Sequence, residues 1–232
     1  MRYILLLWLC LAFASLSHGQ KTELRANAYS GLFFFRGSGS TSTSTVHVGD
    51  DLGYYNPMPY GRKSAFSYAL ELQAQRITRQ KHLYGIGLGF ERLTSRARVD
   101  SASYTFVGKV SERGKVTLEN DFISFNPYIG HRFIANSITF DLQVGADLAF
   151  STRVYEQAKL TSRKDVTYRL KKDNHPLDIR PRLQLNAYHN RMGFLVGYSL
   201  GLKNLYEYNN PNFVNHKAYA NYVRIGVSYR IK

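Results

Sequence analysis

The chain alternates. Ile138–Ser151 reads ITFDLQVGADLAFS: every even position from Ile138 to Phe150 is apolar, and the odd positions are polar or small and include Asp141 and Asp147. The same period recurs in Phe66–Ala74, Tyr84–Phe90, Ile179–Ala187, Phe194–Leu202 and Val223–Ile231. Period-two patterning means strands with a different environment on each face. Leu24–Phe35 and Phe122–Phe133 carry apolar residues in both phases; they are strands as well, with facing left open. The pattern predicts eight strands near 22–36, 64–79, 82–97, 117–134, 137–152, 176–189, 191–206 and 218–231. Pro127 and Pro181 fall inside two of them and predict a bulge or irregular pairing, because proline donates no ladder hydrogen bond.

The connections alternate too. Breaks after the second, fourth and sixth strands are tight (RQKH, IANS, HNR); those after the first, third, fifth and seventh are long, about 37–63, 98–116, 153–175 and 207–217. Short turns on one side and long loops on the other, with an even strand number, describe an antiparallel up-and-down transmembrane β-barrel. A tilted strand needs about 9–11 residues to cross hydrocarbon, and lipid offers nothing to an open sheet edge, so the sheet closes on itself. A secreted β-sandwich would alternate as well, but with strands nearer five or six residues and long loops not confined to one side.

The beginning of the chain fits export. Arg2 precedes the apolar run YILLLWLCLAFA (Tyr3–Ala14) and the small residues SLSHG, a secretory signal peptide over residues 1–19. The barrel domain is then 20–232. The one cysteine, Cys10, lies in the leader, so the exported part has neither disulfides nor thiolate chemistry. The formal net charge of +15 suggests an anionic partner; export directs that expectation to anionic lipid or extracellular matter and away from nucleic acid.

The leader, the eight-strand layout, and the strings FNPYIGHRF (Phe125–Phe133) and FLVGYSLGLKN (Phe194–Asn204) resemble the small outer-membrane β-barrel family of PorT-like proteins. That family shares its architecture with the OmpA membrane domain and OmpX. The resemblance spans essentially all of residues 20–232 at the level of pattern, and it implies a bacterial outer-membrane location without transferring any residue of known chemistry. The SYRIK ending departs from the terminal aromatic of many such barrels.

In this frame the odd residues of Ile138–Ser151 face the lumen, which an eight-stranded barrel fills with side chains. The same phase collects an inward acidic set, Glu71, Glu91, Asp141, Asp147 and Asp178, and an inward basic set, Arg180, Arg182, Lys203, Arg224 and Arg230. An unpaired buried charge costs several kcal/mol, so the two sets are expected to form an interior ion-pair network, with Asp141 and Asp147 meeting bases of strands six to eight. Aromatic rings are expected at both membrane boundaries: Tyr84, Phe140, Phe194 and Tyr229 on the turn side, Phe66, Tyr68, Phe90, Phe150 and Tyr219 on the loop side.

Neither a catalytic cluster nor a metal or cofactor motif is legible. His47, His175 and His216 lie on separate long loops, and His82, His131 and His189 at the tight turns lack ligand spacing. The basic 153–175 connection offers Arg163, Lys164, Arg169, Lys171 and Lys172 as contacts to lipopolysaccharide phosphates, and it also reads as a hairpin extension of the strands. The loops over 37–63 and 153–175 are the expected contacts for an extracellular or protein partner. The expected role is a structural, adhesion or surface-interaction one. A narrow solute or ion pore is the alternative, and a membrane-embedded hydrolase or acyltransferase a more distant one.

Overall fold

The computed structural model describes residues 21–49, 54–161, 166–172, 176–206 and 216–231; the expected signal peptide lies outside them. Among the described residues there are thirteen strands: β1 (Lys21–Arg36), β2 (Ser40–Thr41), β3 (Thr43–Val48), β4 (Tyr54–Tyr55), β5 (Tyr60–Gly61), β6 (Lys63–Ile77), β7 (His82–Tyr104), β8 (Gly108–Ala135), β9 (Ile138–Leu160), β10 (Val166–Lys172), β11 (Leu177–His189), β12 (Met192–Leu200) and β13 (Tyr219–Arg230). Eight of them, β1, β6, β7, β8, β9, β11, β12 and β13, each pair antiparallel with the next. Pairing of β13 with β1 closes the ring. The fold is the expected eight-stranded antiparallel up-and-down barrel.

Its turns are tight at one end, the turn end. Lys81, Asn136 and Asn190 there adopt φ of 66°, 52° and 54°, a left-handed conformation that asparagine's short polar side chain tolerates. The exterior is apolar in rows. Across β7, β8 and β9 the outward rows are Tyr84·Ile129·Val144, Leu88·Phe125·Leu148 and Phe90·Ile123·Phe150. Leu88, Ile129 and Val144 are 61%, 60% and 53% exposed, too much contiguous apolar surface for water. Ten residue steps separate Phe133 from Ile123 on β8; at about 3.3 Å per step and a tilt of about 40° the belt is about 25 Å tall, matching hydrocarbon.

Two facings left open by the pattern are settled by burial. On β1 the odd residues point inward, and on the barrel part of β8 the even ones do. Both strands read apolar in both phases because their inward residues join an apolar cap at the loop end: Phe33, Phe35 and Phe122 pack there with Leu93, Leu118, Val154, Leu205 and Tyr206. Interior glycines admit large rings beside them. A Cβ on Gly85 would lie 2.3 Å from the Tyr128 ring, and one on Gly193 2.4 Å from that of Tyr188.

Among the described residues of the long connections, those of 153–175 form the hairpin extension that the pattern also offered, and those of 37–63 and 98–116 differ from the expectation of loops. β7 and β8 run on together to a hairpin closed by Tyr104 and Gly108, and β9 continues to pair with β10. β3 lies parallel to β7, with β4 antiparallel beyond it. The resulting sheet, β10-β9-β8-β7-β3-β4, rolls until β4 touches β10 and encloses a second apolar core of Val46, Val48, Val99, Ala102, Val116, Ala158 and Leu160. Alternating apolar positions continue past the belt, so the strands do as well. β12, by contrast, ends at Leu200, short of the expected 206.

The prolines cause no register shift. Pro127 pairs regularly with Ile86 on β7, while its β8–β9 ladder skips from Phe125·Leu148 to Tyr128·Gly145 in constant register. Pro181 pairs regularly with Ala146 on β9, and the β11–β12 ladder stops at the next residue, Arg182. Each proline thus interrupts pairing on one side only, where the missing N–H would have donated. Bulging occurs elsewhere on β9: Asp121 opposes Arg153 while Phe122 opposes Ser151, leaving Thr152 extra.

Candidate functional site

The lumen holds two ion-pair clusters, one above the other. Nearer the turn end, Arg132 donates from Nη1 and Nη2 to Glu23 at 2.9 and 2.8 Å, and from Nε and Nη2 to Asp141 at 2.7 and 2.8 Å. Arg25 also donates to Asp141 and reaches Glu23 at 3.0 Å. Arg230 stands 3.7 Å from Glu23 and 3.9 Å from Asp141. The Tyr188 ring lies between Arg25 and Arg230, with guanidinium carbons 4.5 and 3.9 Å from its centroid.

Neutral amides separate this cluster from the next. Gln75 donates to Glu23 at 3.1 Å and accepts from Tyr128 at 3.2 Å. Gln184 donates to Gln143 at 3.4 Å and to Asn186 at 2.8 Å.

In the upper cluster Arg182 donates to both Glu71 oxygens at 3.1 Å and to Asp147 at 3.2 Å. Asp147 also accepts from Arg224 and Ser199, each at 2.7 Å, and from Asn126 at 3.2 Å. Arg180 donates to Glu91 and lies 3.6 Å from Asp178. These carboxylates and guanidinium groups are all buried. A single carboxylate shared by several arginines is the geometry that offsets the desolvation of buried charge. Two acids and three bases below, with four acids and three bases above, make six of each sign in the lumen.

Of the inward residues expected from the pattern, Glu71, Glu91, Asp147, Asp178, Arg180, Arg182 and Arg224 come together in the upper cluster; Asp141 and Arg230 meet in the lower. Lys203 does not join them. It lies beyond the end of β12 and is exposed: backbone bonds hold the register through Gly201–Ala220 and Leu202–Ile179, but it has shifted by Leu205, which bonds Ala218, so the alternation loses its meaning between them. Asp141 differs in its partners: Arg25 of β1 and Arg132 of β8 hold it, while Arg230 is the more distant. Glu23, Arg25 and Arg132 were not singled out by the pattern. They share a phase with Asn27 and Asn126, the one signal that could have marked them.

Among the proposed phosphate contacts, Arg169 and Lys171 are exposed on β10. Lys172 turns inward instead and pairs with the buried Glu156 at 2.8 Å. Arg163 and Lys164 lie outside the described residues, as does His175. At the turn end His82 and His131 oppose each other with rings 5.2 Å apart. Among the described residues no group of three His, Cys, Asp or Glu could hold a metal.

No protein-family model matches the chain, and no curated protein does. Among solved structures the chain is similar to Neisserial surface protein A, at 10% identity and a TM-score of 0.39 over 92% of this chain and 100% of that one. It is also similar to Ail, the attachment invasion locus protein of Yersinia pestis, at 10% identity and a TM-score of 0.36 over 92% and 99%. A Pseudomonas aeruginosa FadL homologue aligns at 8% identity and a TM-score of 0.21, over 93% and 91%.

Proposed function

We propose that the protein is an integral protein of the bacterial outer membrane with a charged, closed interior. Its role is structural, adhesive or otherwise interactive at the cell surface, and it is not an enzyme. The carrying observation is the contrast between the filled lumen and the wall that rises beyond it. The lumen is filled by paired charges and stopped by the Phe33–Phe35–Leu205 cap, whereas β7, β8 and β9 rise past the belt into a rolled sheet with its own core. Such a molecule displays a surface and offers no conduit. Its partners are outer-membrane lipid, including lipopolysaccharide, and an extracellular or protein partner met through the 37–63 and 153–175 connections.

Planar-bilayer recording tests this reading. Purified protein should insert without steady conductance; a stable, resolvable conductance would instead make it a narrow pore. Replacing residues 98–114 with a short turn, which removes the β7–β8 hairpin at the centre of the rolled sheet, should leave the barrel able to insert while abolishing cell-surface binding phenotypes.

A further inference from the structure

The outer face of β7, β8 and β9 changes character within one row of residues. Phe90·Ile123·Phe150 is the last apolar row. The next outward row, about 7 Å higher, is Arg92·Asp121·Arg153. Asp121 is only 4% exposed although it faces outward, because both arginines close over it. Arg92 donates from Nε and Nη2 at 2.7 and 2.8 Å, and Arg153 donates from Nε at 2.8 Å and again from Nη2. The bulge at Thr152 is what turns Arg153 to this side. One carboxylate neutralises one of two guanidinium groups, so the triad keeps a positive charge. Each fork has five donors and gives two to Asp121. The Arg92 and Arg153 side chains stay 30% and 43% exposed.

Cations continue upward on the same face. Arg153 and Arg169 both stack on Tyr155, 5.3 and 4.4 Å from its centroid. Higher still, Arg98, Lys115 and Lys159 stand directly opposite one another on three adjacent strands. Like charges directly opposed across a sheet, as Arg98 and Lys115 are, destabilise it, and an anion laid over that pair offsets the cost. Among the described residues Glu119 and Asp100 are the other carboxylates on this face.

We propose that this column is a binding site for a phosphorylated glycolipid of the surrounding leaflet. Its lipid-borne phosphate would sit on Arg92 and Arg153, and anionic groups of its sugar on Arg98, Lys115 and Lys159. The inference rests on the outer-membrane reading and deepens it. Continuity with the apolar belt selects a membrane-anchored occupant, since a soluble polyanion has no need of a site at the belt edge. Height selects one with a charged glycan: Arg153 to Lys159 spans about 20 Å along the strand, about 15 Å in height at the same tilt, beyond the reach of a simple phospholipid headgroup.

The test titrates the protein in neutral detergent with bisphosphorylated lipid A, with and without its phosphorylated core sugars. Wild type should bind both saturably. Arg92→Gln/Arg153→Gln should weaken both by about tenfold or more, the scale of lost charge-assisted hydrogen bonds. Arg98→Gln/Lys115→Gln should weaken only the core-bearing form, and Lys109→Gln at the hairpin tip should bind as wild type. Heat-modifiable gel mobility certifies folding of each variant. If the glutamine pair fails to fold, Arg92→Lys/Arg153→Lys, which keeps charge but loses the forks, carries the test through a smaller loss. Equal binding by the folded variants overturns the site, as does competition by inorganic phosphate at matched concentration or preference for a soluble sulfated polysaccharide. Wild type that inserts in bilayers yet ignores lipid A refutes this inference alone; wild type that does not insert refutes the outer-membrane reading.

Discussion

Arg132 engages Glu23 and Asp141 at once through four hydrogen bonds. Arg132→Met should leave both carboxylates short of partners and cost about 3–5 kcal/mol, the scale of a broken buried pair. Lys203→Gln, at an exposed position outside the ladder, should stay within about 0.5 kcal/mol. Urea titration of the two variants in micelles measures both. The contrast also marks what single residues reveal in the sequence. Asp141 and Asp147 are legible because their strand is cleanly two-sided. Glu23, Arg25 and Arg132 are not, because their strands also line the apolar cap, where inward residues look like outward ones.

At the scale of elements, alternation locates all eight barrel strands, and the tight turns show where the chain reverses. It does not show where strands stop. Residues 98–116 look like a loop by position, yet Val99, Ala102 and Val116 have an apolar core of their own to face, so pairing continues. Past β12 the backbone hydrogen bonds run on through Gly201 and Leu202 before the register shifts at Leu205, a change the apolar phase does not mark. The proline expectation holds as irregular pairing, a gap on one side of each strand, and not as a bulge. Closing the one-sided gap at Pro127 gives a direct check. Pro127→Val restores a donor toward β9 within the belt, where an unmet backbone group is costly, and should stabilise the barrel by about 1 kcal/mol. A urea midpoint unchanged or lowered would show that the gap at Asn126–Pro127 has another cause.

The whole molecule is a wall with lipid outside and paired charge inside, closed at the loop end by a cap and extended by a rolled sheet. The barrel class follows from alternation and connection lengths together. The rolled sheet does not, because β3 joins β7 in parallel from a Ser/Thr-rich segment that carries little patterning of its own. The strand ITFDLQVGADLAFS tests both sides of the wall in one series. Spin labels placed singly at Leu142, Gln143, Val144, Leu148 and Ala149, in a Cys10→Ser background and in bilayers, report collisions with oxygen from lipid and with a water-soluble nickel chelate. The account predicts strong oxygen collisions at 142, 144 and 148, with both reagents excluded at 143 and 149. Nickel collisions at 143 and 149 would mean an open aqueous lumen, and loss of the two-residue period would mean that this strand does not face lipid at all.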